Sequence, residues 1–118
     1  MSGPARSPIT SHVLDTALGR PARGLAIQLD VLDSGGGWIA LATRATDADG
    51  RAGDFLAPGT LAARTYRLTF DTGAYFRDGG RPAFYPRVEV TFTVSAPDEH
   101  HHIPLLLSPF GYSTYRGS

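Results

Sequence analysis

The sequence predicts an all-β fold, a sandwich of two sheets with about eight strands and one short helix. Its 14 glycines and 9 prolines are spread along the chain and separate short segments in which apolar and polar residues alternate. A two-residue period is the pattern of a strand with one buried face. It is clearest over residues 87–94, where the apolar positions are Val88, Val90, Phe92 and Val94. Several short strands with turn residues between them are typical of a β-sandwich.

Each element follows from a local pattern. Alternating or continuous apolar segments predict strands at residues 9–15, 25–31, 38–43, 65–70, 87–94, 103–107 and 111–115. The single helix is predicted at residues 71–78, because Asp71 can cap its start and two glycines follow its end. Turns are predicted at residues 34–37 and at Gly50, which can adopt a positive φ.

Length and composition limit the classes of function. The 118 residues fit one domain, predicted at 9–118, after a segment at 1–8 whose Ser, Gly, Pro and Arg content predicts disorder. The 11 basic and 11 acidic residues balance, so nothing favours a nucleic-acid or membrane partner. The absence of cysteine excludes disulfides and thiolate metal sites. Without a secretory leader or an apolar run near the roughly 20 residues of a membrane helix, we expect a cytoplasmic protein.

Histidines form the most prominent cluster of reactive side chains. His100, His101 and His102 are consecutive, and on a strand the first and third share a face while the second points the opposite way. His12 is the only other histidine. The His100/His102 pair fits acid–base groups or ligands on a cleft wall, and equally a polar start to a strand. Three imidazoles can hold zinc with an open fourth position, but no HExxH helix is present, and we predict no metal site.

Arginines and tyrosines supply further candidates, each with two interpretations. Arg51 follows a turn and is either a solvated side chain or a two-pronged binder of a carbonyl or anionic substrate. Arg116 has the same two interpretations. Tyr112 and Tyr115 fit packing residues with a solvated hydroxyl. The glycines form no phosphate-binding pattern, and no serine stands in a nucleophile elbow.

Three blocks of sequence carry a family resemblance. They are Ile-Thr-Ser-His-Val-Leu-Asp-Thr-Ala-Leu-Gly-Arg-Pro-Ala at 9–22, Thr-Asp-Ala-Asp-Gly-Arg at 46–51, and a tail with His-Ile-Pro-Leu-Leu-Leu-Ser-Pro at 102–109 and Tyr-Ser-Thr-Tyr-Arg-Gly-Ser at 112–118. On these blocks the chain resembles the transthyretin-like family, and within it the 5-hydroxyisourate hydrolase branch. The Tyr-Arg-Gly-Ser end is typical of the hydrolases and is lacking in hormone-carrying transthyretins. One departure is His101, which stands where the family's His-x-His strand often has an aromatic residue.

The resemblance implies the architecture, the partners and the site. It implies a transthyretin-like sandwich, a homotetramer with active sites in a channel where two dimers meet, a small-molecule substrate and no cofactor. Matched by position, the catalytic set is His12, Arg51 and His102. The substrate-binding set, matched in the same way, is His100, Tyr115, Arg116 and Ser118.

The resemblance also implies the reaction, which belongs to urate degradation. Water adds to a ring carbonyl of 5-hydroxyisourate, and the ring opens to 2-oxo-4-hydroxy-4-carboxy-5-ureidoimidazoline. We assign water activation to His102. A positioned general base contributes about 10²–10⁴-fold to the rate. His12 would hold the substrate or shuttle a proton, and Arg51 would stabilise the developing oxyanion. The sequence does not fix which of the two histidines is the base.

Three alternatives compete with the hydrolase. A transthyretin-type carrier with a channel for an aromatic ligand does not need His12, His102 and the Tyr-Arg-Gly-Ser end together. A metal-dependent cyclic amidohydrolase would use His12, His100 and His102 as ligands, and metal content would distinguish it. A purely structural sandwich with surface histidines does not explain the tail.

Overall fold

The computed structural model describes residues 7–118, which form two sheets and one helix. Within this range the elements are β1 Ile9–Asp15, β2 Arg20–Pro21, β3 Ala26–Leu32, β4 Trp38–Ala45, β5 Arg51–Ala52, β6 Thr65–Phe70, α1 Thr72–Asp78, β7 Val88–Thr93, β8 His101–Ser108 and β9 Gly111–Thr114. The predicted fold class is confirmed. The described strands number nine because β2 and β5, at two residues each, are too short to leave an alternating pattern.

The two sheets have different pairing. The first sheet has the order β2-β1-β8-β9, with β5 also paired to β1, and the second has the order β4-β3-β6-β7. All pairs are antiparallel except β1 with β8, which run parallel along the middle of the first sheet. This parallel pair brings the two ends of the described chain together.

The hydrophobic core lies between the sheets. Along β1 the odd-numbered residues are buried and the even-numbered ones half-buried, so Thr10, His12 and Leu14 share the outer face of the first sheet. Burying one large aliphatic or aromatic side chain contributes about 1.5–3 kcal/mol. The side chains of this core that are less than 2% exposed include Ile9, Val13, Ile27, Leu29, Leu68, Phe70, Phe76, Val88, Leu105 and Leu107.

Strand β7 departs from the predicted pattern. The sequence predicts four inward apolar residues, and the structure buries Val88 and Val94, but Val90 and Phe92 are only half-buried. The reason is position, because β7 is an edge strand of the second sheet. Val90 and Phe92 border a cavity of about 310 Å³ whose lining also includes Tyr115.

Helix α1 begins and ends as the sequence predicts. Asp71 is its N-cap, and the Asp71 carboxylate accepts a hydrogen bond of 3.2 Å from the Ala74 N–H. The helix is followed by Gly79 and by Gly80, whose φ of 69° suits glycine. Within residues 7–118, no helical segment has the length and apolar character that crossing a bilayer requires.

The N-terminal segment is described only in part. Of the predicted disordered residues 1–8, the first six lie outside the described residues. Ser7 is buried, donates a 2.9 Å hydrogen bond to the Ile9 carbonyl, and accepts one of 3.3 Å from the Leu56 N–H. The Pro8 carbonyl accepts from the His101 N–H at 2.8 Å. The described contacts of the sandwich therefore begin at Ser7, two residues before the predicted start of the domain.

Candidate active site

Strand register brings several of the predicted site residues to one end of the first sheet. The parallel pairing of β1 and β8 sets Thr10 opposite His102, and the antiparallel pairing of β1 and β5 sets His12 opposite Arg51. Thr10, His12 and His102 are half-buried on the outer face. A small cavity of about 200 Å³ opens there, lined by Thr10, Ser11, Arg51, Ala52, Gly53, His100, His102 and Ser118.

Two histidines of this cavity are held by one threonine. The His100 and His102 rings lie 6.3 Å apart between centroids, with 18° between their planes. Thr10 Oγ1 lies 2.9 Å from His100 Nε2 and 2.7 Å from His102 Nδ1. The sequence did not predict this role for Thr10, which shares a strand face with His12. The two histidines that it contacts are 90 and 92 residues away, and the register of β1 against β8 cannot be read from the sequence.

The third consecutive histidine points the other way, as the strand period predicts. His101 is 5% exposed and faces the interior, where its Nδ1 lies 2.9 Å from the Glu99 carbonyl oxygen. A carbonyl oxygen only accepts hydrogen bonds, so Nδ1 carries the hydrogen. His101 is a buried structural residue and lies outside the cavity.

His12 and Arg51 are positioned by the turn that precedes β5. His12 Nε2 lies 2.8 Å from the Asp49 carbonyl oxygen, so Nε2 donates and Nδ1 is the other ring nitrogen. The Asp47 carboxylate accepts from the backbone N–H groups of Asp49 at 2.9 Å and Arg51 at 3.0 Å. The hydrogen bond from Arg51, ahead of the one from Asp49, holds the pKa of Asp47 below its usual value.

Gly50 is required at this turn. Its φ is 77°, and a Cβ atom there would collide with the Val13 carbonyl oxygen. The Gly50 carbonyl in turn accepts a 2.8 Å hydrogen bond from the Val13 N–H. These contacts fix the turn against β1 and thereby place Arg51 on the cavity wall.

The C-terminal tail folds back over β8. The Gly117 N–H donates a 2.8 Å hydrogen bond to the His102 carbonyl, and the two residues form an isolated bridge. A Cβ atom on Gly117 would lie 2.7 Å from His102 Cδ2 and 3.3 Å from Pro104 Cγ. Only glycine allows this close approach, which places Ser118 in the cavity.

Two predicted substrate-binding residues lie elsewhere in the single chain. Tyr115 is 57% exposed, and together with Arg116 it borders the larger cavity between β7 and β8 rather than the histidine cavity. Arg116 Nη2 lies 3.0 Å from Glu99 Oε1 in an exposed ion pair. The structure thus brings His100, His102, Arg51 and Ser118 to one cavity. His12 lies opposite Arg51 but does not line that cavity. Tyr115 and Arg116 line the other cavity, although Arg116 Nη2 lies 3.4 Å from the His100 carbonyl oxygen.

The arrangement has the chemistry of acid–base catalysis on a carbonyl compound. Imidazoles can take and give protons near neutral pH, and within residues 7–118 no carboxylate forms a salt bridge with the Arg51 guanidinium, which can therefore bind a developing oxyanion. Among the described residues, no three His, Asp or Glu side chains come together so that they could hold a metal ion. The three-histidine ligand set considered for His12, His100 and His102 is thus not assembled.

Comparison with known proteins gives the family. Residues 9–117 match the model of the HIUase/Transthyretin family. A mouse (Mus musculus) protein named 5-hydroxyisourate hydrolase is 48% identical over 113 residues, which are 95% of this chain and 96% of that protein. The structure of Klebsiella pneumoniae 5-hydroxyisourate hydrolase is 37% identical with a TM-score of 0.82, covering 98% of this chain and 100% of the other. Sea bream transthyretin in complex with thyroxine is 35% identical with a TM-score of 0.88, covering 93% and 94%. The chain belongs to the HIUase/Transthyretin family, as its sequence blocks predict.

Proposed function

We propose that this chain hydrolyses 5-hydroxyisourate by adding water to a ring carbonyl, so that the ring opens to 2-oxo-4-hydroxy-4-carboxy-5-ureidoimidazoline in urate degradation. The observation that carries the proposal is one cavity that holds His100, His102, Arg51 and Ser118. Relatives named as this hydrolase align over nearly the whole chain, and the predicted hydrolase activity is confirmed by them.

His102 is the proposed general base. Its Nδ1 is engaged with Thr10, so Nε2 is the nitrogen that would take a proton from water. With hydrogen on Nδ1, the lone pair lies on Nε2, which is the form that a base requires. A base held in this way contributes about 10²–10⁴-fold to the rate.

Arg51 and His12 are proposed to act on the ring and on the leaving nitrogen. The Arg51 guanidinium presents a planar fork of donors to the oxygen-rich ring and stabilises the tetrahedral oxyanion. His12 donates its Nε2 hydrogen to the Asp49 carbonyl, so its Nδ1 would hold the substrate or, once protonated, deliver a proton. We further propose that His100, Tyr115, Arg116 and Ser118 bind substrate.

In the single chain Tyr115 and Arg116 line the cavity between β7 and β8, so their proposed role in substrate binding draws on an assembly. We propose a homotetramer, with sites where the outer faces of the first sheets meet. Two features support it: β7 and β9 are edge strands, and aromatic side chains next to them are exposed. These are Phe84 at 66%, Tyr85 at 38%, Phe110 at 68% and Tyr112 at 43%. The cytoplasm stays the predicted compartment.

The carrier alternative shares the sandwich but not the site residues. A thyroxine complex is known for the sea bream relative, at 35% identity. A carrier channel needs apolar walls, whereas the cavity here presents two imidazoles, a guanidinium and Ser118. These groups favour catalysis over storage of an aromatic ligand.

The test is an ultraviolet time course after urate oxidase generates 5-hydroxyisourate in the cuvette. Addition of this protein is expected to accelerate the decay and to yield the ring-opened product, with the same rate in EDTA. Decay at the spontaneous rate would contradict the hydrolase. Activity that EDTA removes and zinc restores would instead support the metal-dependent amidohydrolase.

A further inference from the structure

We propose that Thr10 is a positioning residue whose hydroxyl joins His100 and His102 into one hydrogen-bonded unit and selects the tautomer of His102. This inference rests on the proposed function, because it concerns the base of that reaction. Thr10 Oγ1 lies 2.9 Å from His100 Nε2 and 2.7 Å from His102 Nδ1. Both distances are those of hydrogen bonds.

A hydroxyl between two imidazole nitrogens constrains both rings. It has one hydrogen to donate and lone pairs with which to accept. When it donates to one nitrogen, the other nitrogen must donate to it. As long as the unit is neutral and the hydroxyl hydrogen points to one of these two rings, one of His100 Nε2 and His102 Nδ1 carries a hydrogen and the other a lone pair.

The two possible states differ in catalytic competence. If His100 Nε2 donates to Thr10, the hydroxyl donates to His102 Nδ1, and neutral His102 carries its hydrogen on Nε2, where it cannot act as a base. If His102 Nδ1 donates to Thr10, the hydroxyl donates to His100 Nε2, and His102 Nε2 holds a lone pair. Thr10 thus makes the tautomer of His100 determine whether His102 can take a proton.

The same contacts provide a route for the proton after water has been activated. His102 Nε2 accepts a proton from water and the ring becomes an imidazolium. His102 Nδ1 then releases its proton to Thr10 Oγ1 as the hydroxyl proton passes to His100 Nε2. One N–H bond and one O–H bond break, and one O–H bond and one N–H bond form. The positive charge moves to His100, and His102 is left neutral with hydrogen on Nε2.

The fold fixes the threonine more firmly than a surface side chain. Thr10 pairs with His102 in the parallel register of β1 and β8. On the inner face, the neighbouring Ser11 hydroxyl donates a 2.7 Å hydrogen bond to the Ile103 carbonyl and ties the same two strands. The Thr10 methyl points toward Gly53, where a Cβ atom would lie 3.6 Å from Thr10 Cγ2. Because β-branched side chains are stiff at χ1, the fixed backbone of β1 helps to aim the hydroxyl at the histidines.

The proposal is tested by the variants Thr10→Val and Thr10→Ser. Thr69→Val, on a strand of the other sheet, is the control for the general effect of replacing a strand threonine by valine. Thr10→Val keeps the shape but removes the hydroxyl, and we expect kcat to fall about 10–100-fold with KM within about threefold. Thr10→Ser is expected to keep kcat within about threefold of wild type. Equal loss in both variants, or full kcat in Thr10→Val, would overturn the proposal.

Nitrogen-15 shifts of the imidazoles give a readout that does not depend on turnover. In the substrate-free wild type we expect His102 to carry its hydrogen on Nδ1, and in Thr10→Val we expect it to shift toward Nε2. An unchanged tautomer in Thr10→Val would overturn the proposal. If the wild type fails to hydrolyse 5-hydroxyisourate but the tautomer still depends on Thr10, the proposed function fails while the hydrogen-bonded unit stands.

A double-mutant cycle separates coupling from two independent losses. We expect Thr10→Val with His100→Ala to lose hardly more kcat than the worse single variant, since either change breaks the same unit. Losses that multiply would show two independent roles and contradict the proposal.

Discussion

The two ends of β1 carry polar side chains with different roles, one in the candidate site and one in the core. At one end, Thr10 is half-buried on the outer face and its hydroxyl meets two imidazoles. At the other, Asp15 is fully buried on the inner face, where its carboxylate accepts from the Tyr75 hydroxyl at 2.7 Å, from the Arg81 guanidinium and from the Leu18 N–H at 3.0 Å. Side chains of a strand alternate between the two faces of the sheet. Residues 10 and 15 are an odd number of positions apart, so their side chains lie on opposite faces.

Asp15 on the inner face is suited to stabilising the fold, and Thr10 on the outer face is suited to positioning the histidines of the candidate site. Burial raises the pKa of Asp15, but hydrogen bonds from Arg81, Tyr75 and the backbone of Leu18 outweigh it and hold the pKa below its usual value. The carboxylate therefore stays charged and fixed, joining β1 to α1 and the segment after it. Thr10, by contrast, contacts groups that can exchange protons with a ligand in the cavity.

The largest expected effect on stability comes from removing Asp15. Asp15→Ala leaves the mostly buried Arg81 guanidinium without its carboxylate, which is expected to lower the free energy of unfolding by about 3 kcal/mol. Urea unfolding followed by circular dichroism measures this, with the exposed Asp98→Ala as control. Equal midpoints for the two variants would show that the buried carboxylate does not hold the helix to the sheet.

The tail is expected to affect activity and spare the fold. Deleting residues 115–118 removes the Gly117–His102 hydrogen bond, the exposed Arg116–Glu99 pair and Ser118 from the cavity. We expect kcat/KM to fall about 100-fold, within the range for loss of binding and acid–base positioning, while Tm shifts by a few degrees. Wild-type turnover in the shortened chain would refute the assignment of the tail to the site.

Gly50 lies between the two regions and should affect both. Gly50→Ala places a Cβ against the Val13 carbonyl at a positive φ and is expected to cost about 1–3 kcal/mol of stability. Because the same turn places Arg51, KM should also rise. Gly59→Ala is the matched control, since its φ is 80° but no atom lies near its Cβ position. Equal losses of stability and equal KM values in the two variants would show strain alone rather than a positioned turn.

The smallest expected effect is the acid dependence contributed by Asp15. Its pKa is lowered in the folded state from 3.8, so its contribution to stability is present above about pH 4 and is lost as the pH falls through the lower, folded-state value. Urea midpoints measured from pH 6 down to pH 2.5 should therefore fall less steeply in Asp15→Asn than in wild type. Parallel pH profiles would contradict this assignment.

Local patterns predicted much of the fold and part of the site. The bounds of β1 and β6 agree with the predicted residues 9–15 and 65–70, and the period of two placed His100 and His102 opposite to His101. These features depend only on residues close in sequence. The half-burial of Phe92 was not predictable in this way, because it depends on β7 being an edge strand.

The role of Thr10 could not be predicted from the sequence for a related reason. Its role depends on which residue of β8 lies opposite to it, and a shift of the parallel register by one residue would set it beside inward-facing His101 or Ile103. The separation of Tyr115 and Arg116 from the histidine cavity likewise depends on how the chain bends after β9.

The most direct test of the division between the two faces is a pair of variants on one strand. His102→Ala changes the outer face, and His101→Phe changes the adjacent inner-facing residue to an aromatic one. We expect 5-hydroxyisourate decay to slow about 10²–10⁴-fold in His102→Ala, with a folded circular dichroism spectrum, and to stay near the wild-type rate in His101→Phe. Undiminished activity in folded His102→Ala would contradict the assignment of the chemistry to the outer face of the first sheet.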